Sequence, residues 1–170
     1  GFAFLPITSF TMALTTFVGQ NLGAGLHDRA KQGSRFGIIA SVVIAELIGV
    51  TMYLLAPQLV AFFSPTPDVI ALGTRQMRTT ALFFCLLAYS HAVASICRGA
   101  GKAFVPMAIM LSIWCVIRIL YIMLMMRLFH QIVYVYWAYP LTWALSSVIY
   151  FLYFRFSHWQ DGFDAKVKKA

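Results

Sequence analysis

Ala103-Phe104-Val105-Pro106-Met107-Ala108-Ile109-Met110-Leu111-Ser112-Ile113-Trp114-Cys115-Val116-Ile117-Arg118-Ile119-Leu120-Tyr121-Ile122-Met123-Leu124-Met125-Met126 is a run of 24 residues with one charge, Arg118. A helix needs about 17–25 predominantly apolar residues to cross the hydrocarbon core of a bilayer. Four more runs of similar length flank it: Phe2–Leu22, Phe36–Pro57, Thr79–Cys97 and Ile132–Phe154. Between them these stretches hold two full charges, Glu46 and Arg118, although the chain carries 13 Lys and Arg and 5 Asp and Glu. Charged residues make up 11% of the 170, against about 25% in water-soluble domains. The reading is an all-α integral membrane protein. The spans are expected at about 2–22, 36–57, 76–97, 103–126 and 132–154, in a transmembrane unit over 1–156 with a tail over 157–170. Continuous rather than alternating apolarity excludes barrel strands. The composition also excludes a soluble domain, a disordered tail and a nucleic-acid binder.

The polar connectors set the orientation. Arg29, Lys31 and Arg35, then Arg98 and Lys102, then Arg155, Lys166, Lys168 and Lys169 fall on one side, nine in all. Arg75, Arg78 and Arg127 fall on the other. Basic residues concentrate on the cytoplasmic side, so the C-terminus is expected in the cytoplasm and Gly1 outside. The net charge of +8 then has membrane lipids, through their anionic headgroups, as its partner. Tyr134, Tyr136, Trp137 and Tyr139 crowd the outer start of the last span, and Tyr150, Tyr153 and Trp159 mark its inner end, as amphipathic rings do at headgroup level. The apolar start and the absence of a signal peptide point to a piece whose upstream part is missing.

Thr66 as N-cap and Pro67 at the first helical position predict a helix starting near Pro67 that runs straight on into the third span. Pro140 falls in the first third of the last span, where a kink is tolerated if neighbours satisfy the freed carbonyl. Cys85, Cys97 and Cys115, an odd number inside apolar spans, read as packing residues, and no spacing suits a metal.

The two intramembrane charges invite a functional reading. Glu46 and Arg118 lie roughly 15 and 18 Å from the inner starts of their spans at 1.5 Å per residue, so an ion pair or charged gate across two helices is one possibility. The alternative is that each bonds separately inside the bundle. His91 is a proton-relay candidate or a packing histidine, and Tyr89 lies beside it. Thr8, Thr11 and Thr15, with Gln20, form a polar ladder on the first span. It fits either interhelical hydrogen bonding or a cavity lining.

Thr15-Thr16-Phe17-Val18-Gly19-Gln20-Asn21-Leu22-Gly23-Ala24-Gly25, followed by Asp28-Arg29-Ala30-Lys31, resembles the VGQNxGAGxxxRA signature of multidrug and toxic compound extrusion (MATE) transporters. Pro67–Gly73 resembles that family's opening of its tenth helix, and Arg98-Gly99-Ala100-Gly101-Lys102 with Pro106 resembles its RGxGxxxxP turn. The resemblance implies helices eight to twelve of a twelve-helix, two-lobe transporter, incomplete at the N-terminus and lacking the N-terminal lobe. It also implies an inner-membrane, multi-pass antiporter that exchanges a proton or sodium ion for cationic or amphipathic small molecules, with no other cofactor. Gly19, Gly23 and Gly25 would then allow close helix contact and a sharp inner turn, and Gln20 would satisfy backbone near the helix end. Arg29 and Arg98 would hold the inner loops at the headgroups. Sodium-coupled members resemble each other in acidic residues on the seventh and tenth helices. Thr79–Cys97 has no carboxylate, so the resemblance implies coupling through an acidic residue of the missing N-terminal lobe, as in proton-coupled members, with Glu46 the only local candidate. A lipid-linked saccharide flippase of the same fold is the nearer alternative, and a channel or structural subunit the other. An enzyme is not expected: His27, His91, His130 and His158 are scattered in depth, without clustered nucleophile or base.

Overall fold

The computed structural model describes residues 5–157. Phe2 at the start of the first span, and the tail with Trp159, Lys166, Lys168 and Lys169, lie outside the described residues. The elements are α1 (Leu5–Gly23), α2 (His27–Leu54), α3 (Ala56–Phe63), α4 (Pro67–Ala81), α5 (Phe84–Gly99), α6 (Phe104–Met110), a π-helical segment π1 (Leu111–Ile117), α7 (Arg118–Phe129) and α8 (Val133–Phe156). They group into five rods, with α3 a short extra helix packed on α4.

Two rods are by themselves long and apolar enough to span a bilayer, α2 and the continuous 26-residue α6–π1–α7; the bent pair α4–α5 makes a third. Threonines, Gln20 and Asn21 dilute α1, and tyrosines, tryptophans and serines dilute α8. Several of those polar groups bond to backbone carbonyls. The Thr8, Thr11 and Thr16 hydroxyls donate to carbonyls three or four residues back. Thr15 does the same to Thr11 and also reaches across to the Ser95 carbonyl at 3.2 Å.

The packing is inside-out relative to a soluble protein. The buried face of α2 is Ala30, Ser34, Gly37, Ser41, Ala45 and Gly49, a stripe of small residues at helical spacing. Phe36, Ile39, Val43, Leu47, Val50 and Leu54 are exposed. Lipid tails are as apolar as leucine, so helices associate through close backbone approach and polar contacts rather than by hiding large side chains. At the centre stands α5, which packs on α1, α2 and α8 and is buried continuously from Ala92 to Cys97. A Cβ on Gly99 would lie 2.6 Å from the Thr15 carbonyl oxygen and 2.9 Å from Val18 Cβ. Only a glycine lets α1 cross there.

The two glycine turns after α1 and α5 share one geometry. Gly25 has φ +72°, with Gly25 N–H bonding Leu22 O and Leu26 N–H bonding Asn21 O. Gly101 has φ +77°, with Gly101 N–H on Arg98 O and Lys102 N–H on Cys97 O. Both are Schellman caps, which close a helix end with a left-handed residue and so favour glycine. The turn puts Arg29, on the first turn of α2, on the same side as Arg98.

Three features depart from the sequence reading. The outer connector contains the helix α3. Helix α4 begins at Pro67, but the third span breaks at Leu82–Phe83 and α5 leaves at 53°. No proline or glycine lies at this break; its cause is the approach of Glu46 and Gly49 from α2. Finally, the fourth span carries seven residues of π-helix directly before Arg118. A π turn holds one extra residue, so α7 is rotated by roughly 100° relative to the continuation of an unbroken α-helix.

Candidate functional site

Glu46 meets the break between α4 and α5. Its Oε2 accepts the Cys85 backbone N–H at 3.3 Å. In an unbroken helix that N–H would bond Ala81 O. Gly49, one turn on from Glu46, packs directly on the Ala81 carbonyl, and a Cβ there would collide with it. The Thr79 and Thr80 hydroxyls also bond back, to Arg75 O and to Gln76 O and Met77 O, a pattern that bends helices. A carboxylate thus sits on the first turn of a half-helix within the span, where the N-terminal dipole favours negative charge.

Arg118 forms a separate corner. Its Nε and Nη2 both donate to Thr142 Oγ1, at 3.0 and 2.7 Å, and that hydroxyl donates to Ala138 O at 2.7 Å. The guanidinium carbon is 4.7 Å from the Tyr139 ring centroid and 5.6 Å from that of Trp114, within cation–π range. Trp114 in turn meets His91 edge-to-face at 5.3 Å. Tyr139 leads to Trp143 and Phe84 through further T-shaped contacts.

The possible Glu46–Arg118 ion pair is not formed; each charge is held separately. Helix α7 packs on α8, whereas α2 packs on α1, α4 and α5, so similar depth does not make the two charges neighbours. His91 and Arg118 are brought together, with Trp114 between them. Tyr89 is in another cluster, with Val93, Cys97 and Tyr150. Gln20 is exposed; the carbonyls at this helix end accept from the Ala24, Gly25 and Leu26 backbone N–H groups, and Asn21 Nδ2 donates to Phe17 O at 2.7 Å. Gly23 ends α1 exposed, while Gly19 faces the Gly99 carbonyl. Arg98 donates to Ser95 Oγ at 2.8 Å. Pro106 is buried, and its carbonyl accepts the Tyr150 hydroxyl.

Several contributors escaped the sequence reading. Ser90 on α5 bonds Ser146 and Ser147 on α8 at 2.9 and 3.0 Å, and Ser147 donates to Leu86 O. Nothing in a single sequence pairs residues 56 apart. Trp114 with Arg118, four residues apart, and Tyr139 with Thr142, three apart, were legible as same-face pairs. At the other end of α2, Arg78 Nε donates to Tyr53 O at 3.3 Å, capping its last turn.

The family model described as MatE matches residues 1–124. The probable multidrug resistance protein NorM of Thermotoga maritima is 28% identical over 113 residues, 66% of this chain and 24% of its own length. The probable multidrug resistance protein YoeA of Bacillus subtilis is 24% identical over 153 residues, 89% of this chain and 33% of its own. The multidrug resistance protein PmpM of Pseudomonas aeruginosa is 40% identical over 75 residues, 44% and 16% of the two chains. The chain therefore spans between about a quarter and a third of the first two relatives. Among solved structures, the MATE transporter ClbM in complex with Rb+ superposes with a TM-score of 0.83 at 22% identity, over 94% of this chain and 38% of that one. With the motif-bearing inner turns, the broken span and the small-residue packing in place, the chain belongs to the MatE family and has the fold of a MATE transporter.

Proposed function

We propose that this chain works as part of a cation-coupled multidrug efflux antiporter, in the cell's inner membrane with its C-terminus in the cytoplasm. The observation that carries the reading is the Glu46 carboxylate on the break of a membrane-spanning helix. Broken helices with a charged group at the break are where transporters bind ions and pivot. Glu46 binds a proton or sodium ion. Neutralising the carboxylate weakens its bond to the Cys85 N–H and frees α5 to move against α2 and α4. The Rb+ complex of ClbM supports a monovalent cation as the coupling species. The relatives' names support efflux of drug-like compounds, and cationic or amphipathic small molecules are the substrate class. The share of the relatives that is matched supports a partner lobe supplied by helices outside this chain, and these 170 residues alone catalyse no transport.

The test is efflux of ethidium by the full-length protein in everted vesicles, driven in turn by a proton and a sodium gradient. One gradient is expected to drive efflux, and Glu46→Gln to reduce it at least tenfold. Gradient-independent efflux, or full coupling in the Glu46→Gln protein, overturns the reading.

A further inference from the structure

Arg118 is charged, half-buried and well inside an apolar span, roughly 21 Å from Phe104 and 16 Å from Phe129 along the helix. Of its five N–H donors, the Thr142 hydroxyl takes two. No carboxylate among the described residues pairs with it: Glu46 is engaged at Cys85, and Asp28 and Asp68 lie on the inner and outer connecting regions. The neighbouring Trp114 Nε1–H is buried and also lacks an acceptor. Among the described residues the unsatisfied groups in this corner are therefore all donors, around one positive charge without a carboxylate partner.

Resting on the transporter reading above, we propose that Arg118, between Trp114 and Tyr139, is a binding position for the carboxylate of an aromatic or amphipathic solute. The Nη1 group and the second Nη2 hydrogen form the outer edge of the guanidinium, the fork that takes a carboxylate in two parallel bonds. Thr142 and the two rings fix that fork, so little side-chain freedom is lost on binding. A single positive charge balances one carboxylate and leaves a phosphate dianion uncompensated. A lipid phosphate is kept out by depth, since the hydrocarbon core is about 30 Å thick and Arg118 lies near its middle.

The experiment is equilibrium binding of 2-naphthoate and of its uncharged methyl ester to the full-length protein in detergent, at pH 7. The wild type is expected to bind the acid at least tenfold more tightly than the ester. Arg118→Gln is expected to bind the two alike. Arg118→Lys keeps the charge but not the fork, and is expected to lose at least threefold of the preference. If Arg118→Gln is not monodisperse, the lysine variant decides. Equal binding of acid and ester by the wild type, or a preference unchanged in both variants, overturns the proposal. So does parallel loss of acid, ester and ethidium binding, which marks Arg118 as structural. Failure of gradient-driven ethidium efflux leaves the acid-to-ester ratio measurable, so the two readings fall separately.

Discussion

Glu46 Oε2 accepts the backbone N–H of Cys85 across 39 residues of chain, at the point where one membrane helix stops and the next begins. The bond joins the sole acidic residue of the apolar spans to the break. Truncation and neutralisation should therefore differ. Glu46→Ala leaves the N–H without its acceptor, a loss of about 1–3 kcal/mol. Glu46→Gln keeps an acceptor oxygen and should cost about 1 kcal/mol. Thermal unfolding in detergent, followed by tryptophan fluorescence, should rank wild type above glutamine above alanine. Equal midpoints for the two variants would remove the bond from the account.

Glycine-to-alanine changes should be graded by what the new methyl meets. At Gly49 it meets the Ala81 carbonyl, and at Gly99 the Thr15 carbonyl and Val18. Backbone cannot swing aside, so each should cost about 1–3 kcal/mol or more, the usual range for overpacking. At Gly19 the nearest atom is 3.3 Å away, and the change should be milder. Unfolding midpoints that rank Gly19→Ala below the other two would contradict this order.

The serine contact between α5 and α8 should be worth little per bond yet be coupled. Ser146 and Ser147 keep carbonyl acceptors, at Trp143 and Leu86, when Ser90 is replaced. Ser90→Ala should cost about 0.6 kcal/mol, near the mean for interhelical bonds in membranes. In a double-mutant cycle with Ser147→Ala the two losses should sum to more than the double variant shows. Strict additivity would mean the hydroxyls do not act on each other.

Orientation can be read by labelling. In a background without native cysteines, Ser64→Cys should react with an impermeant maleimide in intact cells. Lys102→Cys and Lys168→Cys should react only after permeabilisation. The opposite pattern would reverse the topology inferred from nine basic residues against three.

Hydropathy and charge are properties of short segments, additive along the chain, and for that reason the helical rods, the breaks at Gly25 and Gly101 and the start of α4 at Pro67 were readable in one dimension. Family membership was readable too, because the motifs occupy those same turns. The bend at Leu82–Phe83 was not. It depends on Glu46 and Gly49 arriving from another helix, to which the back-bonding Thr79 and Thr80 hydroxyls add only a local tendency to bend. The partners of Arg118 were equally hidden. Depth is one coordinate, legible from residue count, but pairing also needs the azimuth of each side chain and the identity of the neighbouring helix. The π turn resets the first, and the placement of α8 beside α7 supplies the second. Packing in three dimensions therefore decided that the two intramembrane charges take different partners.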